Sequence, residues 1–240
     1  MGRKTSKIIF VFLLLVCLLL VKSNDQTLTA GKQNNLYFVD FSNDLQSAIK
    51  NSVTIYASQH ENSETKVGAG VIWKTEDSIC YVLTCAHIFK DLDAPKILIT
   101  PFEKTKNNNF FEGELVGISE QQDIALLQTT SKLQSDFILS PAKEVGAAMP
   151  IFAFGNPEGL GASVSAGILS VPNERIGEKT LHRINCTLLP GNSGGGVFDN
   201  QGNIVGIVTS KILTNNALEG YGYAIPYAIA EEVAMKILQD

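Results

Sequence analysis

Between Ser52 and Pro226 the chain repeats one pattern twelve times: a short run rich in Val, Ile, Tyr and Phe, closed by a turn. The runs are SVTIYAS, GAGVIWK, ICYVLTCAHIF, KILITPF, GELVGI, IALLQT, PIFAFG, SVSAGILSV, LHRINCTLL, GGVFD, NIVGIVTS and GYGYAIP. β-Branched and aromatic side chains suit a pleated, half-buried surface. Many short strands at this spacing predict an all-β barrel or sandwich. Helical periodicity is confined to the ends. In YAIAEEVAMKILQD (227–240), Ile229, Val233 and Ile237 share one face, which predicts a C-terminal helix. A weaker helix is expected in DFSNDLQSAIKN (40–51), and FEKTKNNNFFEG (102–113) has the composition of an exposed loop. Neither repeat nor linker divides the chain, so one domain is expected over 36–240, after a polar, mobile segment at 24–35.

The first residues carry Arg3, Lys4 and Lys7 ahead of a fourteen-residue apolar run, Ile8 to Val21, followed by Ser23. A membrane span needs about 20 apolar residues, whereas a basic head, a shorter core and a small residue make a secretory signal. Cleavage near Ser23 is expected, with an uncleaved membrane anchor as the alternative. The net charge of -5 becomes more negative once this basic leader is removed. No basic stripe remains, which argues against nucleic acid as a partner. Cys80, Cys85 and Cys186 follow the leader, an odd number, so at least one thiol is unpaired. Cys80 and Cys85 lie in one apparent strand with side chains on opposite faces, which makes them poor partners for each other. With no CxxC or Cys/His cluster, no metal and no cofactor is expected.

LLPGNSGGGVFDN, Leu188 to Asn200, packs four glycines around Ser193. A phosphate loop would need a lysine after the glycines and a helix beyond them. Neither is present. A plain turn leaves so long a string unexplained. A serine nucleophile instead requires a base, and the base requires an orienting group. His87 closes the run YVLTCAH, and Asp123 stands at the edge of the apolar run IALLQT. The order His87, Asp123, Ser193 is that of chymotrypsin-type enzymes, not of subtilisin or the α/β-hydrolases. His60 lies in the polar run SQHENSE and His182 beside a strand, and both are expected to be structural. Asn185-Cys186-Thr187 matches a glycosylation acceptor only formally.

LTCAHIF, DIALL, FAFGNPEGLGASVSAGILS, PGNSGGGVFDNQGNIVGIVTS and GYGYAIP together resemble a chymotrypsin-fold serine endopeptidase of the HtrA/Deg type. The likeness runs from Val53 to Leu238. It implies a double six-stranded β-barrel with a C-terminal helix, in lobes of about 36–140 and 141–240, the site lying in the cleft between. His87 and Asp123 would come from the first lobe and Ser193 from the second. The resemblance makes Ser193 the nucleophile, His87 the proton carrier and Asp123 its orienting partner. The amides of Gly191 and Ser193 would form the oxyanion hole. Thr187 would lie at the base of the primary pocket with Tyr221 and Gly222 as walls, implying a taste for small or medium apolar side chains. Thr209 and Ser210 would pair with an extended substrate, with Thr209 also within reach of Asp123. Substrates would be unfolded or extended polypeptides, the compartment extracytoplasmic, the setting protein quality control, and the assembly a trimer by likeness to the family. Two departures from the family's pattern stand out. Gly196 replaces a usual proline, which should loosen the turn, and the peptide-binding PDZ domain common in the family is expected to be absent. The rival reading is a silent pseudo-protease that binds peptides in the same cleft.

Overall fold

The computed structural model describes residues 43–60, 64–102, 109–133, 138–209 and 221–239. The signal or anchor at 1–23, the segment at 24–35 and Ser210 lie outside the described residues. Among the described residues, no helix is long and apolar enough to cross a membrane.

Twelve strands form two closed barrels, each joined throughout by antiparallel ladders. The first contains β1 (Ser52–Ser58), β2 (Thr65–Glu76), β3 (Ile79–Thr84), β4 (Lys96–Pro101), β5 (Phe111–Ser119) and β6 (Ile124–Thr130), arranged β1-β2-β3-β6-β5-β4. The second contains β7 (Pro150–Gly155), β8 (Ser163–Ile176), β9 (Lys179–Asn185), β10 (Gly196–Phe198), β11 (Ile204–Thr209) and β12 (Gly222–Pro226), arranged β10-β11-β12-β9-β8-β7. Closure removes the exposed edges that would otherwise recruit other chains. Helix α1 (Asn43–Lys50) precedes the first barrel, and α2 (Tyr227–Gln239) follows the second.

Period-2 alternation fills each barrel. Val53, Ile55 and Ala57 on β1 are fully buried. On β6, Ile124 to Leu127 are buried in succession, because one face lines the barrel and α2 packs against the strand from outside. That helix packs its expected face on the core. Ala230 and Ala234 are fully buried, while Ile229, Val233 and Ile237 flank them and remain partly exposed. Phe154 and Phe198 meet edge-to-face at 5.3 Å between neighbouring strands. Such a ring pair adds about 0.5–1.5 kcal/mol beyond area burial.

Three local expectations change. Strand β3 ends at Thr84, and His87 sits in a 3-10 turn, Ala86–Phe89, rather than at a strand end. The expected loop at 102–113 gives way to β5 at Phe111, where Phe111 pairs with Ile99 and Gly113 with Ile97. Strand β8 continues past Val171 to Ile176, because register shifts between Leu169 and Glu174 absorb Pro172, which cannot donate to a ladder.

Candidate active site

The two barrels meet where the turn after β3, the turn before β6, the loop before β10 and the end of β11 come together. At Thr84 the side chain donates to Ala69 C=O at 2.7 Å, closing β3, and the chain then folds into the turn that carries His87. Asp123 precedes β6 with φ +58°, a left-handed conformation that Asp adopts more readily than most residues. Its carbonyl accepts Ala86 N–H at 3.3 Å, tying the two turns together. Asp123 Oδ1 accepts the His87 backbone N–H at 3.0 Å, and His87 Nδ1 lies 3.0 and 2.9 Å from Oδ1 and Oδ2. Thr209, the last residue of β11, donates its hydroxyl to Oδ2 at 2.6 Å. The carboxylate is thus shared between the barrels.

Burial alone would raise the Asp123 pKa. The bonds from His87 and Thr209, with the imidazole charge, outweigh it and hold the carboxyl below its ordinary value. An ionised carboxylate can only accept, so the proton between it and the ring sits on Nδ1. In the neutral ring, Nε2 is then an acceptor.

Ser193 is held by its backbone. Its carbonyl accepts Ala69 N–H from the first barrel at 2.8 Å. Gly194 N–H donates to Val208 C=O, and Val208 N–H to Gly195 C=O, both at 2.8 Å. Gly195 N–H donates to Asn192 C=O at 3.0 Å. In a trans peptide C=O and N–H point oppositely, so this bond turns the Ser193 amide away from the glycine turn. Neither the Gly191 nor the Ser193 amide donates to a backbone carbonyl among the described residues. Ser193 is partly exposed, and among the described residues no hydrogen bond joins its hydroxyl to the imidazole. Such bonds are commonly long before substrate arrives.

Gly196 directly follows the glycine turn. The residue is buried in β10, paired with Ile207, and a Cβ there would lie 2.3 Å from the Phe198 ring. The aromatic ring occupies the space a larger residue would need.

The structure divides the residues expected at the primary pocket. Thr187 is exposed, whereas the next residue, Leu188, is buried against Gly222, where a Cβ would approach Leu188 Cδ1 to 2.3 Å. The alternation Cys186 in, Thr187 out, Leu188 in is the signal by which sequence reasoning could have found this residue. Gly222 is buried and pairs with Ile184. Tyr221 is exposed, its ring 5.5 Å from the Arg183 guanidinium. Beside the His87–Asp123 pair opens a cleft of about 630 Å³, bordered by Phe89, Leu92, Glu120, Lys179 and Leu181; Ser193 is not part of its lining.

All three described cysteines are free and buried. Cys85, two residues before His87, lies at the site: its thiol, the His87 imidazole and the Asp123 carboxylate have ligand atoms within 4.8 Å of one another. Each atom is already engaged: the thiol donates to Val208 C=O at 3.2 Å, and Asp123 binds His87 and Thr209. Burial, then the Asp123 charge, pushes the Cys85 thiol well above its ordinary pKa. His60 is exposed, and His182 is buried with Nδ1 accepting Asn173 N–H at 3.1 Å.

Two closed six-stranded antiparallel barrels, with an imidazole–carboxylate pair where they meet, match the chymotrypsin-like fold. Comparisons with known proteins agree. The trypsin-like peptidase domain profile matches residues 68–207. The chain is 30% identical over 218 residues to the serine endoprotease DegS of Haemophilus influenzae, covering 84% of this chain and 62% of that protein. It is 27% identical over 210 residues to an HtrA-like serine protease of Staphylococcus epidermidis, covering 80% of this chain and 34% of the relative. It thus spans less than two thirds of the length of these relatives. Among solved structures, the serine endoprotease from Yersinia pestis aligns with a TM-score of 0.69 at 26% identity, over 85% of this chain and 68% of that one. The HtrA-type protease AlgW with tripeptide aligns with the same score at 25% identity, over 83% and 64%. The chain belongs to the trypsin-like peptidase family, as a homologue of DegS and the HtrA-like serine proteases.

Proposed function

We propose that this chain is a serine endopeptidase that cuts unfolded or extended polypeptides through Ser193, His87 and Asp123. The observation that carries the reading is the bonding of Asp123: one carboxylate receives the His87 ring, the His87 backbone and the Thr209 hydroxyl together. That set locks the imidazole in the tautomer a general base needs.

In the first half-reaction Ser193 Oγ attacks the scissile carbonyl while His87 Nε2 takes the hydroxyl proton. The amides of Gly191 and Ser193 stabilise the oxyanion. Asp123 stays ionised and stabilises the imidazolium. His87 then gives the proton to the leaving amine, and the acyl group remains on Oγ. Water repeats the sequence to release the acid and restore Ser193.

Leu188 and Gly222, buried side by side, would give the primary pocket an apolar, restricted lining that suits a small or medium apolar side chain before the cut, with Thr187 and Tyr221 at its mouth. The substrate backbone would add as a strand along Thr209 and Ser210. Two dependent parts complete the reading. Export through residues 1–23 predicts a mature N-terminus near Asn24, and an intact Met1 in the membrane fraction would make the segment an anchor instead. Assembly as a trimer predicts a sedimentation mass of three chains.

The direct test is digestion of an unfolded protein such as reduced casein by wild type and by Ser193→Ala, with the cut sites read by mass spectrometry. Cuts after Val, Ala or Thr by wild type alone support the reading. Cuts dominated by Lys or Arg would overturn the pocket, and equal cutting by both proteins would overturn the nucleophile. No cutting by either would favour the silent peptide-binding cleft.

A further inference from the structure

The segment GNPEG between β7 and β8 accounts for a feature of the site that none of the three catalytic side chains explains: the direction of the Gly191 amide. Asn156 is 3% exposed, although polar and outside any strand. Its backbone N–H donates to Gly191 C=O at 3.1 Å. Two residues on, Glu158 N–H donates to Pro190 C=O at 2.9 Å. Pro190 C=O and Gly191 N–H belong to one trans peptide plane, so pinning the carbonyl aims the amide the opposite way. Gly191 itself has φ +97°, and a Cβ there would lie 2.1 Å from Asn156 O. The loop is in contact along its length with the segment that holds it.

The Asn156 side chain holds the pin. Oδ1 accepts Gly161 N–H at 2.7 Å, which closes the turn and fixes which end of the amide is oxygen. Nδ2 then faces the first barrel, 3.2 Å from Thr54 Oγ1 and 3.5 Å from Tyr56 OH, both on β1. Glu158, which supplies the second pin, has φ +55° and ψ 14°, a left-handed conformation costly for a non-glycine residue. Strain of this kind persists where the surroundings impose it, and here Asn156 and the Pro190 bond do so.

We infer that Asn156 is a positioning residue: it anchors the 156–161 turn to β1 of the first barrel and, through that turn, sets the Gly191 amide as an oxyanion donor. The inference rests on the reading of Gly191 and Ser193 as the oxyanion hole. It makes the activity of the second barrel's loop depend on a hydrogen bond made to the first. Asn156 touches no reacting atom, so its loss should appear in the transition state and not in substrate binding.

The experiment uses a peptide p-nitroanilide ending in Val and the matching peptide aldehyde, whose hemiacetal places an oxygen in the hole. Wild type against Ser193→Ala tests the underlying reading first; equal turnover by both would remove it. Asn156→Ala should then lower kcat per titrated active site by about tenfold or more, short of the 10²–10³ typical when a donor is removed outright. KM should stay within about threefold of wild type, and aldehyde affinity should weaken in the same ratio as kcat, as expected for a transition-state effect. The double substitution Thr54→Val and Tyr56→Phe removes the acceptors without opening a cavity and should act in the same direction, less strongly. If titration finds fewer active sites but kcat per site and aldehyde affinity are unchanged, Asn156 is merely structural and the inference is overturned. If Asn156→Ala does not fold, the double variant decides, and an unchanged kcat per site in it overturns the inference equally.

Discussion

On the first barrel, His87 and Asp123 are held by side-chain bonds; on the second, the loop from Pro190 to Gly195 is held almost wholly by backbone bonds. The first arrangement depends on residue identity, since only an imidazole and a carboxylate can make it. The second depends on peptide direction, which glycines permit but do not dictate. Thr209 and Ala69 join the halves, one reaching Asp123 and the other Ser193 C=O. The contrast predicts that substitutions in the first half act by removing a chemical group, and those in the second by misdirecting a peptide.

The largest effect is expected at the proton carrier. His87→Ala should reduce kcat by on the order of 10⁶, and adding Ser193→Ala should cost little more, because groups that act as a unit are not additive. Steady-state rates of the two single variants and the double test this, and additive losses would break the unit. Asp123→Asn comes next. It preserves the shape but offers the ring an NH₂ or the wrong tautomer, and should cost about 10⁴ in kcat with little change in KM. A loss below tenfold would mean that the triple bonding of Asp123 is structural only.

Gly191→Ala probes the other half without touching a catalytic side chain. The left-handed φ and the contact with Asn156 O should force the loop to move and lower kcat by about 10²–10³. Retained activity would show that peptide direction at Gly191 does not matter, dissolving the contrast between the barrels.

How far the sequence exposes each half follows the same division. SVTIYAS and PIFAFG match β1 and β7 residue for residue, because alternating β-branched and aromatic residues report burial on a pleated surface. His87, Asp123 and Ser193 are legible because, in the proposed reading, their side chains are the chemistry. Asn156 is not, because its role lies in bonds to Gly191, 35 positions away, and to Thr54, 102 positions away. Leu188 escapes notice because a one-residue change of facing decides whether it or Thr187 is buried beside Gly222. Pro172 and Asn173 look like the end of a strand, yet a bulge carries β8 onward. Gly196 does not reveal the Phe198 ring beside it.

The smallest effect on activity, and one on stability, concerns His182 in the second barrel. Burial lowers its pKa to about 4, partly opposed by a bond to Val205 C=O. The folded state therefore binds this proton less readily than the unfolded chain, whose histidine titrates near 6.5. Stability should be flat in this respect above pH 6.5 and decline as pH falls toward 4, by roughly 3 kcal/mol in all. Urea unfolding across that window should show the decline in wild type and a shallower one in His182→Gln. Equal slopes would place the acid sensitivity elsewhere.

The central claim, that the two halves meet to activate Ser193, is tested most directly with a fluorophosphonate probe and peptide mass mapping. The account predicts one label per chain, on the peptide containing Ser193, abolished by Ser193→Ala and slowed by both Asp123→Asn and Gly191→Ala. Failure of folded wild type to label, or labelling that persists in Ser193→Ala, would contradict it.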